Sequence, residues 1–331
     1  VIQRSFRRLL ASLACLPFAA GAAPDTGSAS AAKPVNITVA SAAAGVPQQA
    51  TGDPADLWSS VDARLQQGLE NLVKAQGLDA AAREGRLAIA LADVTDPEAP
   101  RVATVNGDHM MYAASLPKIA ILLGAMDKIQ GGAVAGASMQ QDIEQMIRYS
   151  SNAAATRVLE WVGRDRLLAL LQSPRLRLYD VEHNGGLWVG KDYGGHPAYQ
   201  RDPLNNLSHG ATAMQVARLF QLLEAGTLLD AERCAQMKEV LGNPGIHHKF
   251  VKGLESRPEA KIFRKSGTWQ QFHADGALVE SGGRKLVLVG LAEDPRGGEW
   301  LASIAAPLYD LALATPPAAP PVRTAASGLT H

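Results

Sequence analysis

Apolar positions recur along the chain with two different periods, and the change of period organises it. From Asp56, the residues Leu57, Val61, Leu65, Leu69, Leu72 and Val73 fall at helical spacing. Residues 86–92 (RLAIALA) and 101–105 then alternate as strands do, with Asp96-Pro97 marking the turn between them. From about 115 to 255 the pattern is almost wholly helical, with helices predicted over 138–149, 153–162, 164–171, 211–224 and 230–241. Residues 179–208 interrupt it with a long polar segment rich in Gly, Pro and Asn. In a compact domain, so long a stretch reads as a functional loop. From about 260 the period returns to two, predicting strands over 260–265, 273–279 and 285–292, with Gly282-Gly283 turning the last pair. A closing helix is predicted over 300–314. Strands from both ends around a helical middle predict an α/β fold of the α+β type: one antiparallel sheet flanked by helices, with an inserted all-α lobe. The sheet lobe is expected at about 54–114 plus 256–315 and the helical lobe at about 115–255.

The ends differ in composition. Arg4, Arg7 and Arg8 precede an apolar stretch over 9–20 and small residues to Ala23, the form of an export signal over 1–22. Cys15 lies inside it, after Ser12-Leu13-Ala14, a poor lipidation box. Residues 23–53 and 316–331 are rich in Ala and Pro without sustained period, and read as a disordered linker and tail. The expected protein is periplasmic or secreted after cleavage. The 32 basic and 32 acidic residues cancel, and losing the signal leaves a net charge of −3, so no bulk field favours nucleic acid or anionic lipid. Cys234 alone remains in the mature part, which excludes an internal disulfide there. No later apolar run is long enough to span a membrane, and a monomer is expected.

Three short motifs carry chemistry. In Ala114-Ser115-Leu116-Pro117-Lys118, a serine and a lysine three apart at the first turn of a helix share a face, which puts the amine within reach of the hydroxyl. A base beside it makes a weak alcohol nucleophile usable. Pro117 is tolerated there because a first-turn N–H has no partner. Ser150-Ser151-Asn152 falls at a predicted helix junction, from which Ser150 and Asn152 offer a hydroxyl and an amide to one cleft. Lys265-Ser266-Gly267-Thr268 ends a strand pattern with an ammonium, a hydroxyl and a glycine that permits close backbone approach. Singly, each is as well explained by a solvated face, a cap or a strand end. Together and in this order they form a catalytic set.

On these motifs the chain resembles the class A β-lactamase family of penicillin-recognising serine enzymes, over about residues 55–315. Residues 139–163 (MQQDIEQMIRYSSNAAATRVLEWVG) resemble the helix leading into the family's Ser-Asp-Asn element, with Ser151 in the aspartate's place. The resemblance implies the β-lactamase/transpeptidase-like fold and no cofactor, and because the histidines form no ligand pair with one another or with nearby Cys, no metal is expected. Ser115 would attack a β-lactam or acyl-D-Ala-type amide, with Lys118 as its base or as part of a relay and Ser150 passing a proton to the leaving nitrogen. Asn152 would orient Lys118 and the substrate amide, and Lys265 and Ser266 would hold the substrate carboxylate beside Gly267. The backbone N–H groups of Ser115 and Thr268 would form the oxyanion hole. The implied ligand is a small β-lactam or a peptidoglycan-like substrate, and the implied roles are β-lactam catabolism and antibiotic resistance.

Three departures stand out. Only 35 positions separate Ser115 from Ser150, fewer than the family usually has, so part of the helical lobe is missing. The family's Glu-x-x-Leu-Asn, which serves deacylation, is matched by Arg201-Asp202-Pro203-Leu204-Asn205, with arginine in the glutamate's place. Glu182 and Asp202 are the candidates to orient a hydrolytic water instead. The strand after Lys265 also lacks the usual arginine at its facing position, where His273 and Asp275 stand, as a substrate contact or as a structural His–Asp pair. Trp269 is placed at the cleft mouth, with plain packing the rival reading. Gly185 to Asp192 has P-loop spacing, but Asp192 replaces the magnesium-binding hydroxyl and no strand–helix context supports it. His247-His248 reads as a surface doublet. The leading reading is an acyl-enzyme serine hydrolase of β-lactamase type. A D-alanyl-D-alanine peptidase, amidase or esterase on the same fold is the alternative, and a non-hydrolytic β-lactam or peptidoglycan sensor is the rival from another class.

Overall fold

The structure is a computed structural model and describes residues 54–315. The export signal, linker and tail expected at 1–22, 23–53 and 316–331 lie outside the described residues. In chain order the elements are α1 (Ala63–Ala75), α2 (Asp79–Arg83), β1 (Leu87–Asp93), β2 (Arg101–Val105), β3 (Met111–Tyr112), α3 (Lys118–Gln130), α4 (Ala137–Arg148), α5 (Asn152–Val162) and α6 (Arg164–Leu171). There follow β4 (Tyr179–Asp180), β5 (Gly185–Gly186), β6 (Trp188–Val189), β7 (His209–Ala211), α7 (Ala213–Glu224), α8 (Ala231–Leu241), α9 (Phe250–Gly253), β8 (Lys261–Trp269), β9 (Phe272–Ser281), β10 (Arg284–Glu293) and α10 (Gly297–Ala314). None of these helices is long and apolar enough to cross a membrane.

Strands from both ends form one antiparallel five-stranded sheet in the order β2-β1-β10-β9-β8. Its faces are sorted by the period of two. Leu87, Ile89 and Leu91 of β1 pack with Leu65, Leu69, Leu301, Ile304 and Leu308 of α1 and α10. Ala88 and Ala90 face the other way, into the core that includes Val216 and Phe220 of α7 and the helices of the middle. Both faces are covered, so β1 is buried along its whole length. The β9–β10 turn has φ +55° at Gly282 and +80° at Gly283, the two positive angles a two-residue hairpin loop needs.

Three differences from the sequence pattern matter for the site. First, β8 runs through Trp269, so Lys265–Thr268 lies inside a strand and is held by β9 in the pairs Lys265↔Gly276, Ser266↔Asp275, Gly267↔Ala274 and Thr268↔His273. Gly267 masked this continuation. Second, 209–211 is the strand β7, paired with β3 and β6, and α7 starts two residues later at a Thr212 cap. Third, the 179–208 segment is partly structured by the β4–β5 and β6–β7 pairings.

Candidate active site

Ser115 lies in the turn just before α3, where the Leu116 and Lys118 amides donate back to the Ala113 and Ser115 carbonyls. Ala114 has φ +50°, a conformation costly for a residue with a Cβ, and strain of this kind persists where the surroundings enforce it. The enforcing neighbour is β8. A Cβ on Gly267 would sit 2.1 Å from the Ala113 carbonyl oxygen and 2.7 Å from the Ser115 nitrogen, so only glycine lets the strand lie against the serine's turn.

Lys118 is fully buried at the start of α3. Its Nζ donates to the Ser150 carbonyl at 2.6 Å and to Asn152 Oδ1 at 2.7 Å, with Ser150 Oγ at 3.4 Å. The expected Lys118–Ser115 contact is replaced by these: among the described residues, no hydrogen bond joins that amine to the Ser115 hydroxyl. The α4–α5 junction explains why. Ser151 caps α5 by accepting the Ala154 amide at 3.2 Å, which frees its neighbours from that task. Ser150 has φ +58°, and both it and Asn152, the first residue of α5, reach Lys118. Burial pushes the Lys118 ammonium down to about 7. The Tyr193 ring, 4.5 Å from Nζ, helps to enclose it.

Lys265 reaches the same junction from β8, its Nζ 3.0 Å from Ser150 Oγ and 2.6 Å from the Ser266 carbonyl. It is buried, and desolvation together with the positive charge of Lys118 holds its ammonium well below the usual lysine value. Ser115, Asn152 and Thr268 open on a cleft of about 550 Å³ that Tyr112, Tyr193, Trp269 and Phe272 also line. Trp269 is half exposed, within 5.4 Å of the Tyr112 ring and stacked with Phe272, so it forms part of an aromatic wall at the mouth. The structure therefore brings together Ser115, Lys118, Ser150, Asn152 and the Lys265–Thr268 strand.

The remaining candidates lie elsewhere. Glu182 points to solvent and pairs with Arg177 at 3.2 Å. Asp202 is buried beneath the loop, accepting from the Tyr179 hydroxyl and from the Asn205 amide at 2.5 Å. Neither lines the cleft, whereas Arg201 does. His273 and Asp275 do not form a pair. Asp275 is bound by Arg264 at 3.1 and 2.8 Å and by the Phe250 amide, while the His273 ring packs on Gly297 and Gly298 at the start of α10 and both its nitrogens lack a partner among the described residues.

Other residues in this region carry little sequence signal. The segment with P-loop spacing supplies Lys191 and Asp192 to the cleft wall, and Asp192 is held by Arg164 at 2.8 and 2.6 Å. Tyr193 sends its hydroxyl to the Ala114 carbonyl at 3.3 Å and lies 4.3 Å from the His209 ring. Because the Lys191 carbonyl can only accept, the 3.0 Å contact from His209 Nε2 fixes the proton on that nitrogen. Burial holds His209 at about 4, so the imidazole is neutral. Lys249 stands behind Thr268.

Comparison with known proteins agrees with this fold. A family model described as the Beta-lactamase enzyme family matches residues 135–312, more than half of the chain. The chain belongs to this family. The match takes in Ser150, Asn152 and the Lys265–Thr268 strand of this β-lactamase-family protein and begins after Ser115. Among solved structures it is similar to a β-lactamase from Sphaerobacter thermophilus DSM 20745, with 20% identity over 75% of this chain and 99% of that one, at a TM-score of 0.58. PBP-A is similar at 17% identity, 77% and 98% coverage, and a TM-score of 0.58. A representative of class A β-lactamase from Bacteroides cellulosilyticus DSM 14838 gives 15%, 76% and 99%, and 0.58. At such identities the likeness is one of fold. No curated protein matches the chain.

Proposed function

We propose that this β-lactamase-family protein is an exported serine hydrolase that opens a β-lactam amide through an acyl-enzyme on Ser115. One observation carries the reading: Lys118 is buried against neutral acceptors only, with its ammonium near 7, and shares the Ser150 hydroxyl with Lys265. The free amine is then within reach near neutral pH and available as a base. The Ser115 hydroxyl adds to the amide carbon as Lys118 takes its proton. The oxyanion is met by the Ser115 and Thr268 N–H groups, each donor worth about 3 kcal/mol. Ser150 gives its proton to the leaving nitrogen and is resupplied by a neighbouring lysine, after which the C–N bond breaks.

A second reading is favoured by the placement of the carboxylates. With Glu182 at the surface, Asp202 engaged below the loop and Asp192 held by Arg164, none is left free beside Ser115 to activate water. Acylation without rapid release is the behaviour of a D-alanyl-D-alanine peptidase or a penicillin-binding sensor meeting a β-lactam. Mixing the protein with a chromogenic cephalosporin separates the two. Sustained turnover supports the hydrolase, and a burst of one equivalent followed by silence supports the second reading.

A further inference from the structure

Lys249 is a buried charge that the proposed reaction leaves unused. It precedes α9, is 3% exposed, and its backbone has φ +51° and ψ −121°, a conformation that a residue with a side chain adopts only under constraint. Its three ammonium hydrogens find three acceptors: the Gly267 carbonyl, Thr268 Oγ1 at 2.8 Å and the Ala274 carbonyl at 3.2 Å. Gly267 and Ala274 are directly opposed in the β8–β9 ladder. One ammonium therefore ties the two strands together behind the stretch of β8 that lies against Ser115. An ammonium cannot accept, so Thr268 Oγ1 is the acceptor of that bond and its own hydrogen remains free to donate elsewhere. Thr268 lines the Ser115 cleft on one side and, on the other, a hollow of about 330 Å³ that Lys249 shares.

We propose that Lys249 is a positioning residue for the reaction at Ser115, acting through Thr268: it holds the Gly267–Thr268 backbone in register with the serine and leaves the threonine hydroxyl as a donor to an anionic substrate group. This rests on the reading that Ser115 is acylated. Burial holds Lys249 at about 8. When it loses its proton, two hydrogens remain for three acceptors and one tie is lost. Arg264 and Lys265 on β8, Asp275 and His273 on β9, the adjoining His248, Lys252 on α9 and Glu299 on α10 surround it. Arg264 and Asp275 are paired with each other. Burial keeps His248 at about 4 and His273 below the usual histidine range, so neither changes charge above pH 7. Lys265 is the rival source of an alkaline change, and substitution at 249 separates the two.

The experiment measures acylation by a chromogenic cephalosporin from pH 6 to 9.5 for wild type, Lys249→Met and Lys249→Arg, with melting curves at each pH. In the wild type the rate rises through about pH 7 as Lys118 becomes free and falls above about pH 8. Lys249→Met lowers the acylation rate constant about tenfold or more while changing substrate affinity less, and its alkaline fall is absent. Lys249→Arg stays charged throughout and also loses the fall. A folded Lys249→Met with wild-type rate and profile overturns the proposal. If Lys249→Met does not fold, Lys249→Arg decides: an unchanged alkaline fall overturns it. No adduct on the wild-type serine overturns the serine-hydrolase reading, and this inference with it.

Discussion

Ser150 Oγ stands between two buried lysines, 3.0 Å from Lys265 Nζ and 3.4 Å from Lys118 Nζ. These two cations lie close together, and among the described residues no carboxylate is bonded to either. Burial favours loss of the proton from both, the charge of Lys118 adds to this at Lys265, and the hydroxyl between them is placed to carry a proton. Replacing Ser150 with Ala removes this link and leaves Asn152 and the Ser150 carbonyl in place. Acylation is expected to fall about 100-fold or more, with little change in melting temperature, as stopped-flow rates and calorimetry will show.

Lys118 sets the acid limb of the reaction. Its folded value, about 7, is below that of the unfolded chain, near 10.5. Between these values the unfolded state binds the extra proton, so stability gains with rising pH there. Below about 7 both states are protonated and the folded state carries the buried charge at full cost. Lys118→Met is expected to abolish acylation and to leave the protein as stable as wild type at pH 6, or more stable by about 1–2 kcal/mol. Denaturant melts at pH 6 and pH 9 check the sign, since the gain shrinks at the higher pH.

Gly267 admits no larger residue without movement. Gly267→Ala places a methyl group against the Ala113 carbonyl and the Ser115 amide. It is expected to cost about 1–3 kcal/mol and to impair acylation, because the atoms it displaces include an oxyanion donor. A folded variant of wild-type rate would show that β8 does not define the serine's geometry.

Asp275 is structural. It bonds Arg264 twice with both side chains buried, so Asp275→Ala leaves a buried guanidinium without its carboxylate. A loss of about 3–5 kcal/mol is expected in chemical denaturation. His273→Ala, which breaks no hydrogen bond, is expected to cost much less.

Glu182→Gln is expected to change neither turnover nor stability, since the side chain is at the surface. Asp202→Asn is expected to lower the melting temperature through Tyr179 and the loop amides. Arg201→Glu, which puts a carboxylate on the cleft wall, is expected to speed release of the acyl group about tenfold or more. A steady-state burst assay with each variant reads both phases.

The period of the apolar residues revealed the sheet and its helices, because a core residue must face its layer whatever the details. The motifs pointed to Ser115, Ser150 and Asn152 because each stands at or beside a helix start that the sequence marks, and to Lys265 although it lies inside a strand whose continuation Gly267 masks. Other features depend on contacts between distant segments. Lys249 lies 19 residues before Thr268, on a strained bend, and nothing local signals that its amine turns toward β8. Tyr193 and His209 come from a polar loop whose short strands have no room for a period. Ser115 and Lys118 looked like neighbours on one helix face, but Ser115 precedes the helix and the lysine turns to the α4–α5 junction.

The central claim is that Ser115 is the residue that becomes acylated. Intact-mass measurement after mixing with benzylpenicillin, followed by peptide mapping, tests it directly. The account predicts one equivalent of adduct on Ser115 in the wild type and none in Ser115→Ala. An adduct that persists in Ser115→Ala, or a wild-type protein that acquires none at any pH between 6 and 9, would contradict it.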